Sequence, residues 1–128
     1  MAGEGVVYVV QQPRPFRDRV TGVVTPKDLS SAQRYGRIVP LLESDDQPSI
    51  TPGPALFVLQ KKLREFNPER DFICHTGGDP MSLALALLVL RDLNLKEVQV
   101  LRWDRERSTS GERLSGGFYV PVLTPLRA

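Results

Sequence analysis

Residues 71–93, DFICHTGGDPMSLALALLVLRDL, contain the clearest structural signal in this sequence. The apolar run 72–74 is typical of a buried strand, which ends at the turn HTGG (residues 75–78). A helix then begins, with Asp79 as its predicted N-cap and Pro80 in its first turn. A buried strand, a glycine turn and an apolar helix form half of a βαβ unit, so the stretch predicts a mostly parallel sheet covered on both faces.

The composition indicates one soluble α/β domain over residues 1–128. The sequence has 41% hydrophobic and 25% charged residues, and its net charge of +2 is too small to indicate nucleic-acid binding. A single cysteine excludes an internal disulfide and suits a reducing cytoplasm. The longest apolar run, Leu83–Leu90, is far below the roughly 20 residues that a membrane span needs. We therefore expect a cytoplasmic protein without membrane association.

Further strands and helices are predicted on both sides of this stretch. Residues 5–10 and 37–42 are apolar strands, and Pro40 places the second at a sheet edge. The last two strands, 97–103 and 117–122, are predicted to be antiparallel, with Pro121 again favouring an edge. The remaining predicted segments are a short helix (28–35), a long helix from Thr51 and Pro52, a proline-rich connection (43–54), a charged hairpin loop (104–116), and a hairpin or loop at 20–24.

These elements predict a three-layer Rossmann/flavodoxin-like fold. Right-handed crossovers favour a mostly parallel sheet of about five strands in the order 2-1-3-4-5, with the last strand antiparallel. The strand order reverses between strands one and three, and ligands of such sheets bind outside that crevice. The loops expected to meet there are Gln11–Pro15 and His75–Asp79.

The crevice is the candidate ligand site. Gly77 and Gly78 would let a ligand approach the backbone, and the helix behind them has a positive dipole end. Arg14 could clamp an anion from the opposite loop. Asp79 would repel an anion, and a tight turn with a purely structural role is the alternative. The candidate ligand-binding residues are Gln11, Gln12, Arg14, His75, Thr76, Gly77, Gly78, Asp79 and Ser82.

Catalysis is not predicted, and the one weak candidate for a catalytic residue is His75. This single histidine would titrate in a useful range, but no nucleophile lies at a recognised spacing from it. Cys74 alternates to the opposite face and is predicted to be a core thiol. Because adjacent strand residues point apart, Cys74, His75 and Asp79 do not form a metal set. We expect neither a metal nor another cofactor.

Two surfaces are candidates for protein-partner binding, and a third surface, a basic segment, is considered for nucleic-acid binding. The helix after Pro80 has a second apolar stripe that one sheet face cannot cover, which predicts a homodimer interface. Trp103 with the charged hairpin is a further candidate protein contact. The basic segment Arg14–Arg37 is predicted to be a solvated loop without specific nucleic-acid binding. The predicted interface residues are Met81, Leu85 and Leu88.

The turn HTGGDPM (residues 75–81), followed by an alanine- and leucine-rich helix, resembles the ligand-binding turn of CRISPR-associated Rossmann-fold (CARF) domains. Those domains bind cyclic oligoadenylates as dimers, so the resemblance implies a nucleotide ligand. Their turn usually continues Thr-Lys, where this chain has Asp79-Pro80, so the lysine that would contact a phosphate is missing.

Most of the chain resembles small uncharacterised α/β proteins of tailed bacteriophages, through residues 6–10 (VVYVV), 31–42 (SAQRYGRIVPLL), 71–90 and 101–105 (LRWDR). This resemblance implies a virus-encoded protein in the host cell cytoplasm, and no particular activity. The leading expectation is a non-enzymatic module that binds a protein partner, either itself or a host or phage protein. The alternative is a nucleotide- or anion-binding protein, or a small nucleotide-processing enzyme, that uses the crevice at the TGGD turn.

Overall fold

A five-stranded sheet with two helices on one face forms the body of the protein. The structure is a computed structural model that describes residues 5–107 and 113–127, with the backbone alone for 105–107 and 113–116. Its strands are β1 (Val6–Gln11), β2 (Phe16–Arg17), β3 (Val24–Thr25), β4 (Arg37–Leu42), β5 (Phe72–Cys74), β6 (Glu97–Arg107) and β7 (Arg113–Pro125). Its helices are α1 (Ser30–Gln33), α2 (Pro52–Lys62) and α3 (Met81–Asp92).

The sheet has the strand order β4-β1-β5-β6-β7, with every neighbouring pair parallel except β6 and β7. This confirms a mixed α/β fold with a mostly parallel sheet. The strand numbers in this order differ from the predicted 2-1-3-4-5, because two further strands, β2 and β3, form a separate antiparallel ribbon outside the sheet. Without these two strands, the sheet strands stand in the order second, first, third, fourth and fifth along the chain. Pro40 and Pro121 lie in the two edge strands, as predicted from the N–H that proline lacks.

The two faces of the sheet are covered unequally. Helices α2 and α3 pack on one face, where alternate strand residues such as Val10, Ile73 and Val98 are buried. On the other face the described cover includes the four-residue helix α1, whose Ala32 packs with Val9, Cys74, Leu101 and Tyr119. A full helical layer is therefore seen on one face, and the three-layer arrangement stays a prediction.

A buried carboxylate joins the start of β1 to the loop before β5. Asp71, whose side chain is 1% exposed, accepts hydrogen bonds from the backbone N–H groups of Val6 (2.9 Å) and Asn67 (2.8 Å). The guanidinium of Arg70 lies 3.6 Å from the same carboxylate. Buried carboxylates are stable only when paired in this way, so Asp71 has a structural role that the sequence pattern did not indicate.

Helix α3 corrects two predictions. It begins at Met81 with Pro80 at the N-cap position, one residue later than expected, although the Asp79 carboxylate still accepts the N–H of Met81 at 3.0 Å. Leu85 is only 8% exposed, because it packs in the core between the sheet and the two long helices. Of the three predicted interface residues, Met81 and Leu88 alone are exposed.

The connecting segments also differ from the predicted bounds. The hairpin loop predicted at 104–116 is largely strand, since β6 continues through Arg107 and β7 begins at Arg113; residues 108–112 lie outside the described residues. The ribbon of β2 and β3 shows that the segment around 20–24 is a hairpin. The predicted proline-rich connection 43–54 is shorter, because Pro52–Pro54 already belong to α2.

Candidate functional site

The loops after β1 and β5 meet at the carboxyl end of the sheet, as predicted. The hydroxyl of Thr76 donates to the carbonyl of Gln11 at 3.2 Å, and the amide of Asp79 donates to the side-chain oxygen of Gln11 at 3.2 Å. Both loops follow parallel neighbouring strands, whose carboxyl ends share one edge of the sheet. These bonds fix the width of the crevice.

Gln11 also binds a third loop, the one between β4 and α2. Its side-chain nitrogen donates to the carbonyls of Glu43 (3.1 Å) and Asp46 (2.7 Å). The residue is buried, and both its N–H groups and its oxygen are already used within the chain. Gln11 therefore joins the end of β1 to two loops, those after β4 and β5, and its side-chain amide is not available to a ligand without breaking these bonds.

The glycine turn has a backbone that other residues rarely adopt. Gly77 and Gly78 have φ angles of 101° and 82°. A Cβ atom on Gly78 would also lie 3.0 Å from the side-chain oxygen of Gln11. The turn consequently needs glycine for its conformation, and it leaves an exposed backbone that a ligand could approach closely.

Asp79 and Ser82 are used inside the protein. The Asp79 carboxylate accepts hydrogen bonds from the amide (2.8 Å) and hydroxyl of Ser49, and these bonds hold its pKa below the ordinary value. Ser82 is fully buried, and its hydroxyl donates to the carbonyl of Asp79 at 2.7 Å. Neither residue lines the two cavities described next, so the structure does not bring them to a ligand surface.

A cavity of about 250 Å³, here called the basic cavity, lies on one side of the turn. Arg14 reaches it from the loop after β1, with its Nε donating to the carbonyl of Ser44 at 3.2 Å. Lys27, which follows the ribbon, reaches it from the other side, with its Nζ 3.4 Å from the carbonyl of Thr76. The residues that line it are Gln11, Gln12, Pro13, Arg14, Lys27, Ser44, Thr76 and Gly78.

A second cavity of about 380 Å³, here called the aromatic cavity, lies on the other side of Lys27. The rings of Trp103 and Tyr119 meet edge to face with their centres 5.0 Å apart, and Lys27 Nζ lies 5.9 Å from the centre of the Trp103 ring. Both cavities share Lys27 and Thr76. The residues that line the aromatic cavity are Lys27, His75, Thr76, Gly77, Leu83, Val100, Leu101, Arg102, Trp103 and Tyr119.

Two buried polar atoms at the aromatic cavity have no strong hydrogen-bond partner within the described part of the chain: His75 Nδ1 and the Tyr119 hydroxyl, which lies beside the weakly accepting thiol of Cys74. Burial, and secondarily Lys27, lowers the pKa of His75, so the imidazole is neutral at pH 7. Burial raises the pKa of Tyr119, so its phenol keeps its proton. Burial likewise raises the pKa of Cys74 to about 12, which makes it an unreactive core thiol, as predicted.

Seven of the nine predicted ligand residues line one of the two cavities, and only Asp79 and Ser82 do not. The prediction missed Lys27 and Tyr119, and it assigned Trp103 to a separate surface. Trp103 could have been found from strand order, because β6 lies beside β5 with Leu101 opposite Cys74, and Trp103 follows two residues later. No local pattern marks Lys27, whose position depends on the fold of the ribbon before it.

Comparison with known proteins identifies a family whose model covers nearly all of the candidate site. A family model described as Phage Pam3 gp32-like protein matches residues 5–112, which include every residue of both cavities except Tyr119. No curated protein and no solved structure matches the chain. Among the described helices, none is long and apolar enough to cross a membrane. The resemblance of the turn to CARF domains finds no further support and stays a prediction.

Proposed function

The chain belongs to the phage Pam3 gp32-like protein family, and we propose that it binds a small phosphate-bearing ligand in the basic cavity. The family description names no activity, so the proposal depends on the site. The observation that supports it is the pair of cations, Arg14 and Lys27, at one cavity whose described lining residues include no acid. In a Rossmann- or flavodoxin-like sheet the ligand binds where the strand order reverses, and the basic cavity would be that site here.

The donors around the basic cavity suit a phosphate. Arg14 uses Nε for Ser44, and the other four N–H groups of its guanidinium are not needed for that bond. Lys27 has three donors, of which one makes a long bond to Thr76. Gly78 lets a ligand oxygen approach the backbone. Asp79 was expected to repel an anion at this turn. It lies outside the cavity, and its carboxylate accepts a hydrogen bond from the amide of Ser49.

Titration calorimetry with inorganic phosphate at low ionic strength tests this proposal. Arg14→Gln and Lys27→Gln should each weaken phosphate binding about tenfold, because each removes charged hydrogen bonds. The matched controls are Arg17→Gln and Lys96→Gln, which change exposed cations outside the cavity. Absence of binding to the unmodified chain, or equal losses in all four variants, would contradict the proposal.

A second candidate function is binding of a protein partner, with a second copy of this chain as the first partner to consider. Met81 (38% exposed) and Leu88 (50% exposed) lie on the outer face of α3, with exposed Ala84 between them at helical spacing. A small residue between two large ones lets a second helix approach closely, and a two-fold pairing would cover the stripe. A host or phage protein in the cytoplasm of the infected cell is the other partner that this stripe could accept.

Light scattering at micromolar concentration tests self-association. The unmodified chain should have twice the monomer mass, and Leu88→Glu should return it to the monomer mass because a charge cannot be buried in the pairing. Leu93→Glu is the control, since Leu93 is 38% exposed but lies outside the stripe. A monomer mass for the unmodified chain would rule out the self-paired form.

A further inference from the structure

We infer that the ligand is a mononucleotide, with its base in the aromatic cavity and its phosphate in the basic cavity. This inference rests on the proposed phosphate site and names the rest of the molecule that the phosphate belongs to. It follows from three features of the aromatic cavity: its position next to the basic cavity, its ring wall and its buried polar atoms.

The two cavities are adjacent. Lys27 and Thr76 line both of them, and the Lys27 ammonium lies between the carbonyl of Thr76 and the ring of Trp103. Their volumes, about 250 and 380 Å³, fall near the lower end of the range for small-molecule sites. A ligand with an anionic part and a larger, flat, mostly apolar part would occupy both.

The aromatic cavity offers a ring wall for stacking. Trp103 remains 36% exposed, although Gly117 of the neighbouring strand lies so close behind it that an added Cβ would be 2.8 Å from two indole carbons. The side chains of Leu83, Val100 and Leu101 complete an apolar lining. A supported and partly exposed indole is a surface on which a nucleobase can stack.

The unpaired atoms distinguish a base from a plain aromatic ring. Within the described part of the chain, the neutral imidazole of His75 has an unpaired Nδ1 at this cavity, and the buried, protonated hydroxyl of Tyr119 lies beside the thiol of Cys74, which is only a weak acceptor. Buried polar groups are nearly always paired, and a ligand atom would be the partner of His75 Nδ1 and a stronger acceptor for Tyr119 than the thiol. The edge of a nucleobase presents acceptors and donors together, which a phenyl or aliphatic group does not.

Calorimetry with a graded set of phosphates tests this inference. The probes are inorganic phosphate, ribose 5-phosphate, phenyl phosphate and the four common ribonucleoside 5′-monophosphates. At least one nucleotide should bind about tenfold more tightly than ribose 5-phosphate and phenyl phosphate. Equal affinity for all of the phosphates would overturn the inference and leave the phosphate site standing. No binding of any probe would overturn the proposed function as well.

Two variants separate the ring wall from the polar atoms. Tyr119→Phe removes only the hydroxyl and should weaken nucleotide binding about tenfold, with inorganic phosphate unaffected. Trp103→Leu should reduce the preference for nucleotides over ribose 5-phosphate. The controls are Tyr8→Phe and Phe57→Leu, which lie outside both cavities, and thermal melts identify any variant that fails to fold. A nucleotide preference that survives in folded Tyr119→Phe and Trp103→Leu would overturn the inference.

Discussion

The side-chain nitrogen of Gln11 donates a hydrogen bond to the backbone carbonyl of Asp46 at 2.7 Å. Through this bond the last residue of β1 holds the loop that follows β4, while its side-chain oxygen holds the loop that follows β5. The walls of the crevice are therefore set by the chain before any ligand arrives. Such preorganisation lowers the ordering cost of binding.

Gln11→Leu should lower the free energy of unfolding by about 2 kcal/mol or more. The change keeps a side chain of similar size but leaves the carbonyls of Glu43 and Asp46 and the amide of Asp79 without their partner. Urea denaturation measures the loss. Gln12→Leu, at the exposed neighbouring position, should change stability by no more than about 0.5 kcal/mol. Equal losses in both variants would show that these bonds contribute little.

Asp71→Ala should destabilise the fold by about 2 to 4 kcal/mol, because the backbone amides of Val6 and Asn67 lose their acceptor. Hydrogen exchange of the Val6 amide should accelerate by more than that of the amides at the centre of the sheet. Glu69→Ala removes a nearby exposed carboxylate and serves as the control for charge. Unchanged Val6 exchange in Asp71→Ala would contradict the role assigned to Asp71.

Asp79 should make stability depend on pH at the acid end. Its folded pKa lies below the ordinary value of 3.8, because the amide and hydroxyl of Ser49 bond to the ionised form. Its contribution is complete above the unfolded pKa and is lost as pH falls through the folded pKa. The destabilisation caused by Asp79→Asn should therefore be larger at pH 7 than at pH 2.5 in urea titrations.

The control for the pH experiment is a variant that removes a carboxylate other than the one bonded to Ser49. Asp45→Asn changes an exposed acid on the loop after β4. Its effect on the urea midpoint should be small and should change little between the two pH values. If Asp79→Asn behaves in the same way, the Ser49 bonds do not stabilise the folded protein.

Gly117→Ala should move the indole of Trp103 and cost about 1 to 3 kcal/mol. The new methyl carbon would lie 2.8 Å from two ring carbons and against the carbonyl of Asp104, so the side chain or the strand must shift. Trp103 is the only tryptophan, so its fluorescence spectrum reports the shift directly. Gly53→Ala is the control, because nothing lies within 4 Å of the added carbon. An unaltered spectrum for Gly117→Ala would contradict this packing.

The basic segment Arg14–Arg37 should not bind nucleic acid specifically. Arg14 and Lys27 point to the carbonyls of Ser44 and Thr76 at the crevice, so they do not form part of a continuous row of cations along the segment. In gel-shift assays at physiological salt we expect no discrete complex with DNA or RNA. A tight complex whose affinity falls steeply with added salt would be evidence for phosphate tracking and against this expectation.

Much of the fold could be predicted because its signals are local. Pro40 and Pro121 marked the sheet edges correctly, since a residue without an N–H cannot serve a central strand. Thr51 and Pro52 marked the first turn of α2. The lengths of β6 and β7 could not be predicted, because beyond the core both strands lose apolar alternation while their backbones keep pairing.

The surface of α3 shows where sequence periodicity stops being informative. A helical wheel places Leu85 beside Leu88, but it does not say which neighbour covers each side. Helix α2 packs beside α3 and buries Leu85, while Leu88 stays exposed. That outcome depends on the spacing of two helices on the sheet, which is a property of the whole fold.

Prediction of the site was limited for a similar reason. The predicted strand order already placed the loops of Gln11 and Thr76 side by side, because parallel strands end at a common edge. Gln11 itself was expected to contact a ligand, yet its buried amide positions two loops, those after β4 and β5. Lys27 and Tyr119 reach the crevice from the ribbon and from the last strand, so only long-range packing identifies them.

The reactivity of Cys74 would report how often the protein opens transiently. It is the only cysteine in the sequence, it is fully buried in the middle strand of the sheet, and its thiol has a pKa of about 12. A disulfide reagent reacts with exposed thiolate, so it can modify this sulfur only while the cover of this sheet face, which includes α1 and Tyr119, is displaced. The labelling rate of this one sulfur would therefore report how often the face of the sheet under α1 and Tyr119 becomes exposed under native conditions.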